Sequence, residues 1–158
     1  MSTEKSIEFF ICQYELVYKD LYRFALYTLK NPHDAEDIVS ETVMDAYAGF
    51  SKLRNPSSFR AWIFRILSNK CKQKLKEYID KTSELPETLA DKSNDLTEDL
   101  QIRTAFSSLP KEERLILSMD IFAGYTSKEI GKILNINENT IRSKKSRALK
   151  KLKEQLNY

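Results

Sequence analysis

The chain has 158 residues, 41% of them hydrophobic, with only three glycines and four prolines. This composition excludes a disordered chain and favours helices over a turn-rich sheet, and the length allows one ordinary domain or two small ones. The net charge of +3 hides an asymmetry, because residues 1–78 carry +2, residues 79–108 carry −4 and residues 109–158 carry +5. Nucleic acid is the expected partner of the basic end.

Three helical segments are predicted in the first 78 residues, and the first of them is one helix or a helix pair. Apolar residues recur at helical spacing over residues 7–30, where Asn31-Pro32 ends the run. A second helix is expected to begin near Asp34. A third is expected from about Ser57 to Tyr78, after a loop.

The second helix carries an acidic stripe beside its apolar face. At about 100° per residue, Glu36 lies off this stripe, and four other acids share it. They are Asp34, Asp37, Glu41 and Asp45. Like charges at these spacings repel each other. A basic protein partner would account for them, and a merely solvated face is the alternative that stays open.

The third helix is basic, with aromatic residues interleaved. Its basic residues before Glu77 are Arg60, Arg65, Lys70, Lys72, Lys74 and Lys76. This mixture is typical of proteins that bind single-stranded DNA, because unpaired bases stack on rings. The alternative is that the rings belong to the core. We expect a core position for Trp62, whereas Phe64 lies off the main apolar stripe and is open to either role.

Residues 79–99 contain no aromatic residue, and seven of the 21 are acidic. This composition predicts a flexible acidic linker. The chain is therefore expected to be all-α, with one small helical domain at 1–78, a linker at 79–99 and a second small helical domain at 100–158. In the second domain, Pro110 suits the first turn of a helix that continues to about Phe122.

Residues 126–156 have the pattern of a helix-turn-helix. Thr126 or Ser127 caps a helix that ends near Leu134, and Asn137 caps the next one after a short turn. Gly131 stands where two crossing helices approach closely. This arrangement projects the second helix towards a major groove.

The projecting helix is predicted to read duplex DNA. Asn, Arg and Ser pair with base edges, and Lys and Arg neutralise phosphates. A lysine-rich helix that is merely solvated is the alternative. The expected contact residues are Asn139, Arg142, Ser143, Lys144, Ser146, Arg147 and Lys150. One residue fits this face badly, because Lys145 falls on the apolar side of the helix.

Metal, redox and membrane chemistry are not expected. Cys12, Cys71 and the single His33 form no CxxC or HxxxH spacing, so we expect no metal and no cofactor. Both cysteines lie in apolar runs, and we expect buried free thiols. The sequence has no run of 18 apolar residues and no signal-like start, so we expect a cytoplasmic protein without membrane insertion.

Three segments together resemble a known family. They are DAEDIVSETVMDAY at 34–47, FRAWIFRILSNKCKQKLK at 59–76, and LPKEERLILSMDIFAGYTSKEIGKILNINENTIRSKKSRALKKLKEQL at 109–156. In this order and spacing they resemble regions 2 and 4 of the extracytoplasmic-function (ECF) sigma factors of bacterial RNA polymerase. The resemblance covers most of the chain outside the linker.

The resemblance implies a role for each segment. The acidic helix would bind the clamp helices of the β′ subunit of core RNA polymerase, and residues 109–122 would help to dock the β flap. The segment from about Asn55 to Lys76 would read and open the −10 promoter element, with a base captured by the preceding loop. The implied −10 residues are Arg60, Phe64, Arg65, Asn69, Lys70 and Lys72. The C-terminal helix would read the −35 element. Because members of the family commonly have an anti-sigma factor, the resemblance also implies this partner.

The sequence departs from the family pattern at Lys144-Lys145, where family members commonly have arginine and an apolar residue. The main alternative function is a stand-alone helix-turn-helix regulator, which would not need both an acidic stripe and a basic aromatic helix. An enzyme is not expected, because the sequence has no phosphate loop and no paired nucleophile and base.

Overall fold

The structure, a computed structural model, describes residues 3–80 and 98–156. These two ranges form seven α-helices and no strand, so the expectation of an all-α protein with two helical units is confirmed. Two short 3-10 turns, Phe50–Lys52 and Pro56–Ser58, lie between the second and third helices. The helices are α1 Thr3–Leu29, α2 Pro32–Gly49, α3 Phe59–Asp80, α4 Glu98–Ser107, α5 Lys111–Ile121, α6 Ser127–Leu134 and α7 Glu138–Gln155.

Local sequence explains the join between α1 and α2. Lys30 has a φ of +67°, which ends α1 in a left-handed conformation. The Asn31 side chain then accepts hydrogen bonds from the backbone N–H groups of His33 (2.9 Å) and Asp34 (3.1 Å). With Pro32 in its first turn, α2 therefore begins two residues before the predicted start.

The helices that flank the predicted linker extend further than expected. α3 continues to Asp80 and α4 begins at Glu98. Of the linker predicted at residues 79–99, residues 79–80 and 98–99 belong to these helices, and residues 81–97 lie outside the described residues.

The first three helices pack around one apolar core, and α5 joins this core to the second unit. Phe24, Phe59 and Phe64 are fully buried among α1 and α3. Seven consecutive residues of α5, Glu113–Met119, are buried. A helix buried all round must be covered on every side, and α5 contacts α1 and α3 on one side and α6 and α7 on the other.

The two cysteines lie in different surroundings. Cys71 is buried as expected, and burial raises the pKa of its thiol. Cys12 is exposed on α1, so the prediction that it is buried was wrong. Its apolar neighbours in sequence do not bury it, because Ile11 and Leu16 are themselves 47% and 75% exposed.

Within the described residues, no helix is long and apolar enough to cross a membrane. Among the same residues, no group of three or more His, Cys, Asp or Glu side chains could hold a metal ion.

Candidate nucleic-acid and polymerase interface

The helix-turn-helix is built by its own local sequence. The Thr126 hydroxyl accepts from the N–H of Glu129 (3.1 Å), and the Glu129 carboxylate accepts from the N–H of Thr126 (2.9 Å), which closes a capping box at the start of α6. Asn135 ends α6 at a φ of +57°, and the Asn137 side chain caps α7 by accepting from the N–H of Asn139 (2.8 Å). These contacts fix the angle between the two helices.

Gly131 is required by the close approach of α6 to the turn. A Cβ at this position would lie 2.7 Å from the carbonyl oxygen of Ile136, a contact that real Cβ atoms do not make. The same turn is held by the N–H of Ile136, which donates to the Gly131 carbonyl at 2.9 Å. The predicted reason for a glycine here is confirmed.

The outward side of α7 presents one continuous polar face. At about 100° per residue, its members fall within about 140° of the helix circumference. Six of the seven predicted duplex-reading residues lie on this face and are exposed: Asn139, Arg142, Ser143, Ser146, Arg147 and Lys150. Arg142 is 64% exposed and pairs with Glu138 at 3.4 Å within the helix. An exposed pair of this kind is weak enough to exchange for a DNA contact.

The seventh predicted residue, Lys144, turns away from this face. It pairs with Glu112 at the start of α5. Lys145 pairs with Asp120 at 3.3 Å, further along the same helix. The two lysines therefore fasten α7 to α5, which explains why Lys145 lies on the apolar side.

The acidic stripe on α2 is present, and part of it is paired. Lys70 of α3 lies 2.8 Å from Asp45 and 3.8 Å from Glu41. The Tyr78 hydroxyl donates to the Asp34 carboxylate, and the pKa of Tyr78 is raised mainly by burial and then by this hydrogen bond. Asp37 is exposed, so the stripe still presents three exposed carboxylates.

Met44 lies beside this stripe, and sequence reasoning missed it. Its side chain is 71% exposed, and at about 100° per residue it falls about 20° from Asp37. Methionine is enriched in protein–protein interfaces relative to the rest of the protein surface. The signal available in the sequence was its position off the buried face of α2.

The structure groups only some of the predicted −10 residues. Arg65, Asn69 and Lys72 share the exposed side of α3, and Lys76, which was not among the predicted contacts, continues the same side. Lys70 faces α2 instead, as described above. We call the four-residue surface the α3 basic face.

Phe64 and Arg60 lie apart from this face. The Phe64 ring is fully buried and packs against Phe24 at 5.9 Å, so a base cannot stack on it in this arrangement. The Arg60 guanidinium lies 4.8 Å above the Phe64 ring and 3.1 Å from the carboxylate of Asp20. The predicted role of Phe64 therefore lacks the exposed ring that stacking requires.

A cavity lies beside the loop that precedes α3. It has a volume of about 540 Å³ and is lined mostly by apolar and aromatic side chains, among them Phe9, Tyr47, Phe50, Leu53 and Pro56. Phe9 and Phe50 are stacked at 5.9 Å. An aromatic-lined cavity next to a basic helix has the chemistry needed to hold a planar base.

Comparison with known proteins identifies the family to which this chain belongs. Residues 13–78 match the family described as Sigma-70 region 2, and residues 99–152 match Sigma-70, region 4. The RNA polymerase sigma factor SigV of Bacillus subtilis (strain 168) is 32% identical over 143 residues, which span 87% of this chain and 85% of that protein. The chain belongs to the ECF class of RNA polymerase sigma factors.

Further relatives agree with this assignment. The ECF sigma factor SigM of Bacillus subtilis (strain 168) is 28% identical over 89% of this chain and 90% of its own length. A solved structure of the sigma factor RpoE in complex with the anti-sigma factor NepR, from Bartonella quintana, has the same fold. Its TM-score is 0.75 at 23% identity, with 94% of this chain and 96% of that chain covered.

Membership of the family defines the activity. This sigma factor binds core RNA polymerase and directs it to promoter DNA for transcription initiation. The family consists of sigma factors, which are not enzymes.

Proposed function

We propose that each surface of this sigma factor performs one step of promoter recognition. The α2 acidic stripe binds basic residues on the β′ clamp helices, the α3 basic face and the adjoining cavity hold the opened −10 strand, and the outward face of α7 reads the −35 duplex. The observation that carries the proposal is the placement of opposite charges on neighbouring helices, acidic on α2 and basic on α3. A protein that only bound duplex DNA would not need this pair of surfaces.

The clamp assignment rests on exposure and charge. Asp37, Glu41 and Asp45 are exposed with Met44 beside them, which suits a partner that is basic and partly apolar. Residues 109–122 would help to dock the β flap, as the family resemblance implies, once the side of α5 that contacts α1 and α3 is uncovered. The resemblance also supports an anti-sigma factor as a regulatory partner.

In the −10 assignment, the exposed residues of α3 contact DNA, whereas Lys70 and Phe64 make supporting contacts within the protein. Arg65, Asn69, Lys72 and Lys76 follow the backbone of the opened strand, because Lys and Arg side chains neutralise phosphates. The aromatic cavity beside Phe50 takes an unstacked base. Lys70 acts by holding α3 against the acidic stripe, and Phe64 supports Arg60 from within the core.

The −35 assignment keeps six residues on one face. Arg142 and Asn139 lie nearest to the start of α7, where a recognition helix contacts base edges. Arg147 and Lys150 lie further along and are suited to phosphates. Lys144 is assigned to the contact with α5 rather than to DNA.

Gel filtration with core polymerase tests the clamp assignment. Asp37→Lys combined with Glu41→Lys should weaken core binding by about 2–5 kcal/mol, which is about thirtyfold or more. Glu36→Lys is the matched control, because Glu36 is exposed on the same helix but lies off the stripe. Equal loss in both variants, or no loss in either, would refute the assignment. A pre-melted −10 template should not rescue the double variant, because its defect precedes melting.

A further inference from the structure

The helix α7 packs on the rest of its unit through a narrow apolar strip. Its three buried side chains are Ile141, Ala148 and Leu152. At about 100° per residue they fall within about 40° of the helix circumference, opposite the outward polar face. Leu149, about 60° further round, is only partly buried. Apolar burial has no preferred direction, so a strip this narrow does little to prevent α7 from rolling about its own axis.

Three ion pairs between α7 and α5 flank this strip. They are Lys144 with Glu112, Lys151 with Glu113 at 3.2 Å, and Lys145 with Asp120 at 3.3 Å. From the centre of the strip, Lys144 and Lys151 lie about 60° and 80° to one side, whereas Lys145 lies about 40° to the other. The strip therefore has a paired lysine on each of its two sides.

The partners on α5 lie far apart, although two of the lysines are neighbours in sequence. Glu112 lies in the first turn of α5 and Asp120 in its last turn, about 12 Å apart along the helix axis. Lys144 and Lys145 therefore extend towards opposite ends of α5. A roll of α7 in either direction moves one of these two ammonium groups away from its partner, so the pairs together resist rotation both ways.

These ion pairs are less exposed than ordinary surface pairs. The side chains of Lys145 and Asp120 are 25% and 31% exposed, and that of Glu113 is 10% exposed. Partial burial reduces the screening of an ion pair by salt. Removal of one partner leaves the other charge without compensation for its lost hydration. The pairs to α5 can therefore hold the orientation of a helix, which a fully exposed pair does only weakly.

The outward face of α7 needs an accurate orientation. Helix side chains extend about 5–6 Å from the axis, so a roll of about 20° moves their ends by about 2 Å. Hydrogen bonds to base edges require donor–acceptor distances of about 2.7–3.2 Å, so this displacement would break base contacts of Asn139 or Arg142. A lysine contact to phosphate depends less on direction. Discrimination between sequences is therefore more sensitive to the roll than overall affinity is.

We propose that α5 sets the rotation of the −35 recognition helix through these three ion pairs, and that Glu112, Glu113 and Asp120 are positioning residues for base recognition. The proposal rests on the proposed function, because it takes the outward face of α7 as the surface that reads the −35 element. Lys144, Lys145 and Lys151 bind carboxylates of α5 while DNA is bound and do not contact phosphate.

The two sides of the strip are not equally secured. Lys144 and Lys151 share one side, so either can hold it when the other is removed. On the other side, Lys145 forms the one ion pair to α5 among the described residues. The loss of Lys145 should therefore impair base recognition more than the loss of Lys144.

Holoenzyme assembled from core polymerase and the full chain tests the proposal. The measured quantity is the ratio of its affinities for a promoter duplex with an intact −35 element and one with that element scrambled. Lys145→Met keeps an apolar stem and removes the charge. It should lower this ratio by at least about fivefold, the least that one lost base contact costs. Lys153→Met removes an exposed lysine of the same helix and should leave the ratio within about twofold. Equal ratios in the two variants would overturn the proposal.

Charge reversal separates positioning from general attraction to DNA. Asp120→Lys adds positive charge and Lys145→Glu removes it, so a general electrostatic effect would act in opposite directions in the two variants. A positioning role predicts that both lower the affinity ratio. The two substitutions together restore an opposite pair, and the ratio should return to within about threefold of the unmodified value. Opposite changes in the single variants, or no recovery in the combined one, would overturn the proposal.

The lysines on the other side of the strip should act redundantly. Lys144→Met alone should change the affinity ratio by less than about twofold, because Lys151 still holds that side. Lys144→Met combined with Lys151→Met should lower the ratio by at least about fivefold. An unchanged ratio in the combined variant would overturn the proposal.

The salt dependence of binding to the scrambled duplex reports phosphate contacts separately. Lys150→Ala should reduce the slope of log affinity against log salt by about one, as expected for a phosphate contact. Lys145→Met should leave this slope unchanged, because the Lys145 ammonium binds Asp120. An equal reduction in both variants would show that Lys145 contacts DNA and would overturn the proposal.

Thermal unfolding of each variant guards against loss of the fold. If either charge-reversed single variant is unfolded at the assay temperature, Lys145→Met decides the outcome, because it buries no new charge. Holoenzyme of the unmodified chain that does not distinguish the two duplexes would refute the −35 assignment, and this proposal with it. Normal discrimination by the unmodified chain, with the same ratio in every variant of the three pairs, would overturn the positioning role alone.

Discussion

Replacing Gly131 by alanine tests whether close helix approach governs the helix-turn-helix. In an ordinary helix interior this change would stabilise the protein by about 1 kcal/mol, because glycine is a poor helix former. Here the new Cβ would lie 2.7 Å from the carbonyl oxygen of Ile136, and a backbone atom cannot move aside without displacing the turn. Forcing an extra methyl group into such a site costs about 1–3 kcal/mol. Because the contact is with a backbone atom, the cost should lie in the upper part of this range and exceed the propensity gain, with a net loss of about 1–2 kcal/mol.

The control is Gly49→Ala at the end of α2. Its Cβ would meet Trp62 at 3.6 Å, an ordinary van der Waals contact, so this variant should be neutral or more stable by up to about 1 kcal/mol. Thermal unfolding measures both variants, and each 1 kcal/mol should shift the midpoint by about 2–4 °C in a chain of this size. Gly131→Ala should also weaken binding to −35 duplex because α7 is displaced. If it melts as high as Gly49→Ala, the close-approach argument fails.

Three further predictions concern the DNA-reading helix, the thiols and the tyrosines. Arg142→Ala should reduce affinity for the −35 duplex by about 1–3 kcal/mol relative to unrelated duplex. Lys144→Ala should leave the ratio of the two affinities unchanged. Equal effects of the two substitutions would contradict the orientations assigned to these side chains. A thiol reagent should modify only Cys12 in the native protein and also Cys71 after denaturation, because Cys71 is buried with a raised pKa; rapid modification of both would contradict the packing of α3. The pKa values of Tyr14, Tyr78 and Tyr125 are all raised, with burial as the largest cause. A raised pKa favours the neutral phenol in the folded state, so the urea midpoint of unfolding should be constant below about pH 10 and should decrease above it. Tyr78→Phe should make this decrease smaller. A midpoint that stays constant to pH 11 would contradict the prediction.

The helix-turn-helix was predictable because its determinants are local. Thr126, Gly131 and Asn137 act on backbone groups within five residues of themselves. The acidic stripe was predictable for the same reason, since helical spacing alone places those carboxylates on one side of α2. Capping residues and helical spacing can both be recognised within a single segment of the sequence.

The roles of individual lysines were not predictable, because they depend on distant partners. Lys144 and Lys145 are fixed by acids on α5, and Lys70 is fixed by acids on α2. No pattern within α3 or α7 records these pairings. The burial of Phe64, which the sequence left open, was not predictable for a related reason, since it depends on the packing of α1 against α3.

The packing of the two units against each other was equally absent from the sequence pattern. Charge composition divided the chain into separate segments, and this division favoured two independent domains. The contact depends on buried side chains such as Thr28 and Ser118, which have no periodic signature. Their burial follows only from the way α5 lies between the units.

Run-off transcription with core RNA polymerase is the most direct test of the central claim. Core polymerase with this sigma factor should produce transcripts of defined length from a subset of genomic fragments, and core polymerase alone should not. At limiting sigma factor, Asp37→Lys with Glu41→Lys should reduce these transcripts by about thirtyfold or more, whereas Glu36→Lys should retain them. Transcripts that are absent with the unmodified chain, or that do not depend on promoter sequence, would contradict the account.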